Sequence, residues 1–365
     1  MRELSYSGGV ARDLRTLPKA HLHLHFTGSM RPSTLVELAD EAGVRIPETL
    51  RETVAAPDAL RLPANERGWF RFQRMYDASR AVVRSEAAMR RLVREAVQDD
   101  AAEGSRRLEI QVDPTSYAPH VGGITPALEI VTDAARQASA ETGVEVAVIV
   151  AASRTRHPLD ARTLARLAVR HAGDGPGEVI GFGLSNDERR GVTSEFGAAF
   201  RIAARAGLVL APHGGELLGP DHISQVVAHL HPDRLGHGVR AAEDPALLER
   251  IVAEGIALEI CPASNVSLGV FADAEQVPLR RLLAAGADVA LGADDPLLFG
   301  SRLLEQYRTA RQVHGLDDRE IAELARGSIR ASRASPTSRR QMLADVDSWL
   351  AGSGPPAGEG ALQPG

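Results

Sequence analysis

The chain has 365 residues, 44% of them hydrophobic and 25% charged, with a formal net charge of -6, an ordinary globular composition. The mildly acidic balance, with no basic block, argues against nucleic acid or an anionic membrane as the main partner. A single cysteine, Cys261, excludes an internal disulfide and a multi-cysteine metal site. No apolar run is long enough to span a bilayer, and residues 1–13 lack the apolar core of a signal peptide, so a cytoplasmic setting is expected.

Taken in chain order, short β-like runs alternate with longer helical patterns. The runs lie at residues 20–26, 107–112, 145–152, 178–185, 207–212, 234–239, 257–262 and 288–293, most of them rich in Val, Ile and Leu, as strands covered by helices are. Amphipathic patterns fill gaps at 86–102, 126–142, 159–171, 194–206 and 244–254. In the first of these, Leu92, Val93, Ala96 and Val97 share one helical face. The Ser- and Arg-rich stretch 330–340 reads as a loop before a last helix at 341–350. Residues 351–365 are mostly Gly, Pro and small side chains. They cannot bury enough apolar surface to offset their ordering entropy and read as a disordered tail. Residues 1–350 then form a single domain without internal repeats.

Eight strands separated by helices fit a (β/α)8 TIM barrel, an α/β fold, but also a doubly wound open sheet. The polar residues favour the barrel. His23 and His25, His213 with Glu216, His237, and Asp294 with Asp295 fall at the ends of different runs, where a barrel gathers its chemistry. An open sheet would concentrate its site at one switch point, usually with a Gly-rich phosphate turn. No GxGxxG follows the first strand and no Walker A pattern occurs.

In His21-Leu22-His23-Leu24-His25, side chains two apart share a strand face, so His23 and His25 can address one metal ion. His21 has the same parity but lies toward the strand's start and reads as structural. The plainer alternative is a His-rich strand of exposed or hydrogen-bonded side chains. Pro212-His213-Gly214-Gly215-Glu216 offers a third imidazole, a glycine pair that lets backbone approach a ligand, and a carboxylate near the metal but not on it. Glu216 reads equally well as a first-turn helix residue. In Gly236-His237-Gly238 the histidine gives up packing bulk on both sides, a turn residue being the alternative. In Ala293-Asp294-Asp295-Pro296 two adjacent acids repel unless one binds a cation or stays protonated; one of them can cap the helix beginning near Leu297. Together His23, His25, His213 and Asp294 form a three-imidazole, one-carboxylate set that suits Zn2+, with iron, manganese or cobalt as substitutes.

These motifs resemble, in order, those of the adenosine deaminase family of zinc-dependent, amidohydrolase-type barrels. The resemblance runs from Leu17-Pro18-Lys19 to about Leu350. Leu-Pro-Lys followed by His-x-His stands at 17–25. The family's His-Ala-Gly-Glu appears as His213-Gly214-Gly215-Glu216, its Gly-His-Gly at 236–238, its Cys-Pro-x-Ser as Cys261-Pro262-Ala263-Ser264, and its Asp-Asp-Pro at 294–296. The resemblance implies hydrolytic removal of the 6-amino group of an adenosine-like purine nucleoside, with release of ammonia. It implies that His23, His25, His213 and Asp294 bind one Zn2+ and leave room for a water. His237 would orient that water and take its proton, Glu216 would protonate purine N1, and Asp295 would contact N7. Both Glu216 and Asp295 must then hold a proton near neutral pH, so raised pKa values are expected for each.

Two departures bear on the substrate. The family continues its first motif as Leu-Asp-Gly, the Asp holding the ribose 5'-hydroxyl, where this chain has Phe26-Thr27-Gly28. Loss of that carboxylate points to a 5'-modified nucleoside such as aminodeoxyfutalosine, which carries a carboxylated aromatic group, with adenosine or deoxyadenosine in purine salvage as the alternative. Arg71, Arg74 and Arg80, in a candidate lid at 68–84, are candidates to hold such a carboxylate. Asn186 stands where the family has a Gly whose N–H meets purine N3. Asp295, Gly215, Asn186 and Thr27 are thus the expected substrate contacts. A cyclic-amide hydrolase would often need a bridging Lys at a central strand end, and none is present. A cytidine-deaminase type needs paired cysteines. A non-catalytic binding protein on this scaffold would have lost the ligands or the acid, and all are present. The expected partner is a small-molecule purine nucleoside; the sequence does not specify an oligomeric state.

Overall fold

The apolar runs form eight strands in the computed structural model, which describes residues 11–352. They are β1 (Lys19–His25), β2 (Ser105–Val112), β3 (Glu145–Ser153), β4 (Val179–Ser185), β5 (Val209–Gly214), β6 (Arg234–His237), β7 (Ala257–Ile260) and β8 (Val289–Leu291). All pair in parallel and in sequence order. The ring is joined at its seam by backbone: the His25 N–H donates to the Asp294 carbonyl at 3.0 Å, and the Asp294 N–H donates to the His23 carbonyl at 3.0 Å. Helices cross over between the strands and cover the outside, so the strands are buried on both faces. That is why they read as continuous apolar runs rather than alternating ones. The architecture is a (β/α)8 barrel. Among the described residues, no helix is long and apolar enough to cross a membrane.

β6, β7 and β8 end two residues earlier than the sequence reading has them, and three further departures affect whole elements. β5 runs on to Gly214, so His213 lies within the strand rather than just past it. The pattern at 194–206 divides into a 3-10 turn, Thr193–Phe196, and a helix, Gly197–Arg205. The stretch 330–340 is not a loop. One helix, Asp318–Ala331, reaches into it, and the next, Pro336–Ala351, starts within it. Ser335 caps that second helix, its side chain accepting from the Ser338 N–H at 3.1 Å, with Pro336 in the first turn. Of the expected tail, Ala351 ends this helix and Gly352 is its left-handed cap; residues 353–365, like residues 1–10 of the N-terminal segment, lie outside the described residues.

Charged as well as aliphatic side chains fill the barrel. Arg107, Glu109, Arg234 and Glu259 are all at most 2% exposed. Arg107 Nε meets Glu109 at 3.0 Å, and Arg234 bridges Glu109 and Glu259 at 2.7 Å each. An unpaired charge here would cost several kcal/mol, so the four stand or fall together. Burial pushes the Glu109 carboxyl up, but Arg234 and Arg107 outweigh it and hold its pKa below the ordinary value.

One wall above the strand ends is the Glu66–Arg80 helix. Asn65 caps it, accepting from the Gly68 N–H at 3.1 Å. Trp69, Phe72, Gln73, Tyr76, Asp77 and Arg80 line a cavity of about 300 Å³ at the barrel mouth, a spacing that marks one helical face. Phe72 stacks on Phe299, centroids 5.4 Å apart, which ties this wall to the segment after β8.

Candidate active site

The strand ends deliver the polar residues to the closed end of that cavity. His25, His213, Glu216, Asp294 and Asp295 all line it, and His23 and His237 sit just beneath, with 0% exposure. One ring nitrogen from each of His23, His25 and His213 lies within 4.8 Å of the others. Asp294 Oδ1 is 3.5 Å from His23 Nε2 and 3.2 Å from His25 Nε2. His237 Nε2 lies 3.7 Å from Glu216 Oε2 and 4.0 Å from Asp294 Oδ2.

Close packing of imidazoles requires missing side chains nearby. A Cβ on Gly236 would stand 2.7 Å from the His213 ring and 3.0 Å from that of His23. A Cβ on Gly28 would meet Asp295 at 1.8 Å. Backbone strain collects here too. His237, Asp294 and Asn186 have φ of 67°, 61° and 80°, each costing on the order of 1–3 kcal/mol outside glycine. Asn is among the residues that tolerate this conformation best, so Asn186 keeps the left-handed backbone that a glycine would supply.

The cluster fits a cation. His23 Nε2 and both ring nitrogens of His213 are buried without a hydrogen-bond partner among the described residues. Such atoms are costly to leave unpaired. A metal ion held by these imidazoles and Asp294 would satisfy them. Histidine ligands commonly have their other nitrogen held by a carboxylate, and His23 donates from Nδ1 to Glu259 at 2.7 Å, leaving Nε2 for the site. Cys261 Sγ lies within the same 4.8 Å distance of His23 and Asp294. Burial raises its thiol pKa well above the ordinary value, and the thiol donates to the Glu259 carbonyl at 3.6 Å.

His21 lies outside the cluster. Its Nδ1 donates to Asp100 at 3.0 Å and its Nε2 accepts from the Ala293 N–H at 3.0 Å. It therefore fixes the backbone immediately before Asp294.

The charges sort the titrating groups. Burial lowers the His23 pKa, but the neighbouring carboxylates of Asp294 and Glu259 reverse this and raise it to about 10. A proton and a metal ion compete for its Nε2. Burial pushes Asp294 up, yet His23 and His25 hold it well below the ordinary carboxyl value. Burial drives His213 well below the ordinary imidazole value and His237 down to about 3. Both are neutral near pH 7. Glu216 is raised well above the carboxyl range by burial, then by Asp294, Glu188 and Asp295. Asp295 is raised likewise, by burial and then by Asp294.

The helix-end alternatives for the acids do not hold. The helix after Glu216 begins only at Pro220, so Glu216 is not in its first turn. Asp295 occupies the N-cap position of Pro296–Phe299 but makes no capping bond. Its Oδ1 is buried beside the cavity and has no hydrogen-bond partner among the described residues.

The expected substrate contacts divide. Asp295 and Asn186 line the cavity, whereas Gly215 and Thr27 do not. Gly215 packs on Ile223, leaving no room for a Cβ. Thr27 is 1% exposed, and its hydroxyl is hydrogen-bonded to the hydroxyl of Tyr117, with Tyr76 nearby. Of the three arginines, only Arg80 faces the cavity, packed 4.8 Å over the Tyr76 ring and close enough to Tyr117 to act on its hydroxyl electrostatically. Arg71 and Arg74 lie on the opposite side of their helix, facing Pro47, Thr49 and Leu60.

Sequence reasoning missed Tyr76, Tyr117, Arg156, Arg154, Glu188 and Glu259. Only Glu259 carried a readable signal, a charge in the middle of the apolar run Ala257-Leu258-Glu259-Ile260.

The adenosine deaminase family model matches residues 18–349. The chain belongs to the adenosine deaminase family. It is 59% identical over 342 residues to a putative adenosine/adenine deaminase of Streptomyces virginiae, covering 94% of this chain and 99% of that one. It is 34% identical to an adenine deaminase of Rhodospirillum rubrum, covering 91% of this chain and 96% of that one. The crystal structure of an adenine deaminase from Arthrobacter aurescens superposes with a TM-score of 0.82 at 30% identity, covering 92% of this chain and 99% of that one. The protein is accordingly a deaminase of the adenosine/adenine type, a hydrolase acting on purine amino groups.

Proposed function

We propose that the protein hydrolyses the 6-amino group of an adenine ring with one Zn2+ per chain, and that its substrate is a nucleoside extended at the 5' position. The carrying observation is the meeting of unpartnered buried imidazole nitrogens with Asp294, Glu216 and Asp295 at the closed end of one cavity. His23, His25, His213 and Asp294 would hold the metal, which when bound supplies a Lewis acid that brings the pKa of a water toward neutrality. The remaining steps belong to the protein's own groups. Protonated Glu216 donates to ring N1, leaving C6 open to attack. Protonated Asp295 donates to the N7 lone pair. The Asn186 N–H faces N3. Neutral His237 orients the attacking water and relays its proton onward. A C6–O bond forms and the C6–N bond breaks; of the two water protons one goes to the amino group, which leaves as ammonia, and the other restores Glu216, whose own proton stays on N1 of the 6-oxo product, so one water is consumed per turnover.

The outer half of the cavity supports the 5' extension. The hydroxyl of Thr27 is already engaged by that of Tyr117, so it is a poor receiver for a free 5'-hydroxyl. Beyond it lie aromatic side chains, Phe72, Tyr76 and Trp69, with Arg80 and the rim residue Arg156. That lining suits an aromatic carboxylate such as the 5' group of aminodeoxyfutalosine. A second reading, free adenine, is favoured by the adenine deaminases among the relatives. The setting we assign is the cytoplasm, in keeping with a single buried thiol.

The test is ammonia release by zinc-loaded protein offered adenine, adenosine, deoxyadenosine, a 5'-thio analogue and aminodeoxyfutalosine. The proposal expects the highest kcat/KM with a 5'-modified nucleoside. A clear preference for adenosine or adenine would defeat the 5' assignment while keeping the deamination. Silence on all five would defeat both.

A further inference from the structure

Glu216 lies on no regular element. It sits in the irregular segment between the end of β5 at Gly214 and the helix Pro220–Leu230. A proton donor on a free turn would be poorly placed, yet this one is held by its backbone. The carboxylate of Glu188, 2% exposed, accepts from three consecutive N–H groups. Oε1 takes that of Glu216 at 3.1 Å, and Oε2 takes those of Leu217 and Leu218, each at 2.8 Å. On the other side, Arg240 donates to the Leu217 carbonyl at 2.6 Å while paired with Glu243. Arg154 completes the frame, donating at 2.7 Å to the carbonyl of His213. Hydrogen bonds to an ionised carboxylate are stronger than neutral ones, and three in a row fix a turn that has no ladder of its own.

Glu188 comes from the loop after β4, the same loop that brings Asn186 to the cavity. Two residues apart, one side chain faces the substrate cavity and the other grips the Glu216 turn. We propose that Glu188 is a positioning residue for catalysis: its carboxylate latches the backbone of residues 216–218 and so sets the reach of the Glu216 side chain toward ring N1 of the substrate. This rests on the reading of Glu216 as the proton donor. The Glu188 side chain touches backbone N–H groups, and its effect passes through Glu216.

The test uses the full zinc-loaded chain and the substrate that the wild type turns over fastest. Glu188→Gln leaves one acceptor oxygen and turns an amide NH2 toward N–H donors. The expected result is unchanged metal content, a KM within about threefold, and a kcat lower by about 100-fold, the scale of a 1 Å misplacement. Hydrogen–deuterium exchange should rise in the peptide spanning 214–219 and nowhere else. Glu188→Asp keeps the charge one methylene short and should fall between the two. It also serves if the Gln variant does not fold. A kcat within twofold of wild type in a folded variant whose turn exchanges faster would overturn the proposal. Loss of metal in step with kcat would overturn it too, by assigning the effect to the His213 end of the segment. If the wild type releases no ammonia from any purine, the reading of Glu216 fails instead, while the exchange measurement still reports whether Glu188 holds the turn.

Discussion

The two ends of the cavity are built differently. At the inner end, His23 is tied to Glu259, Glu259 to Arg234, and Arg234 to Glu109, by contacts of 2.7 Å between side chains at most 1% exposed. At the outer end, the Glu66–Arg80 wall is held by apolar packing, with Phe72 stacked on Phe299. Its ion pair to the loop after β4, Glu66 with Arg190 at 3.9 Å, is mostly exposed on both sides. Exposed pairs contribute about 0–1 kcal/mol, whereas breaking a buried pair costs about 3–5 kcal/mol. The inner end is therefore rigid and intolerant, and the outer end is adaptable. On the proposed reading, chemistry belongs to the first and choice of substrate to the second.

That contrast can be broken at several points. The largest effect is expected at the acid itself. Glu216→Gln should retain the metal and lose about 10²- to 10⁴-fold in kcat, measured with metal content on the same sample. The pH profile carries the same information. Because burial and the neighbouring carboxylates raise the Glu216 pKa, the active protonated form persists through neutrality and is lost as pH rises through that raised value. The profile should show an alkaline limb, and one that stays flat into the alkaline range would refute the assignment. Next is Glu259→Gln, which leaves His23 an acceptor but strips Arg234 of a buried counter-charge. Metal affinity should fall by about 10- to 100-fold, read by competition with a chelator, with kcat at saturating metal much less affected. The smallest effect is expected at the outer wall. Arg80→Met should lower kcat/KM for a 5'-carboxylated nucleoside by about tenfold and leave adenine unaffected. An equal loss on both substrates would place Arg80 with the rigid end and dissolve the contrast.

The same division governs how much could be read from sequence. The strands, the parity of His23 and His25, and the polar residues after each run were legible because they depend on local periodicity. The ion chain through Arg107, Glu109, Arg234 and Glu259 was not, since each charge is innocuous alone and only barrel closure brings them together. Tyr117 and Tyr76 reach Thr27 from separate elements, which no spacing rule can show. That Arg80, and not Arg71 or Arg74, faces the cavity follows only from the helix's rotation. The misread stretch 330–340 did carry its signal, the Ser335-Pro336 pair of a helix start, hidden among the other serines and arginines.

The central claim is that a metal ion held by His23, His25, His213 and Asp294 makes the rigid end reactive toward a purine amino group. Its most direct test is to strip the protein with a chelator, add back Zn2+ in measured steps, and follow ammonia release from an adenine-ring substrate. The account predicts negligible activity in the stripped protein and a linear rise that stops at one Zn2+ per chain, absent in His213→Ala. Full activity in thoroughly stripped protein, or an unchanged titration in His213→Ala, would contradict it.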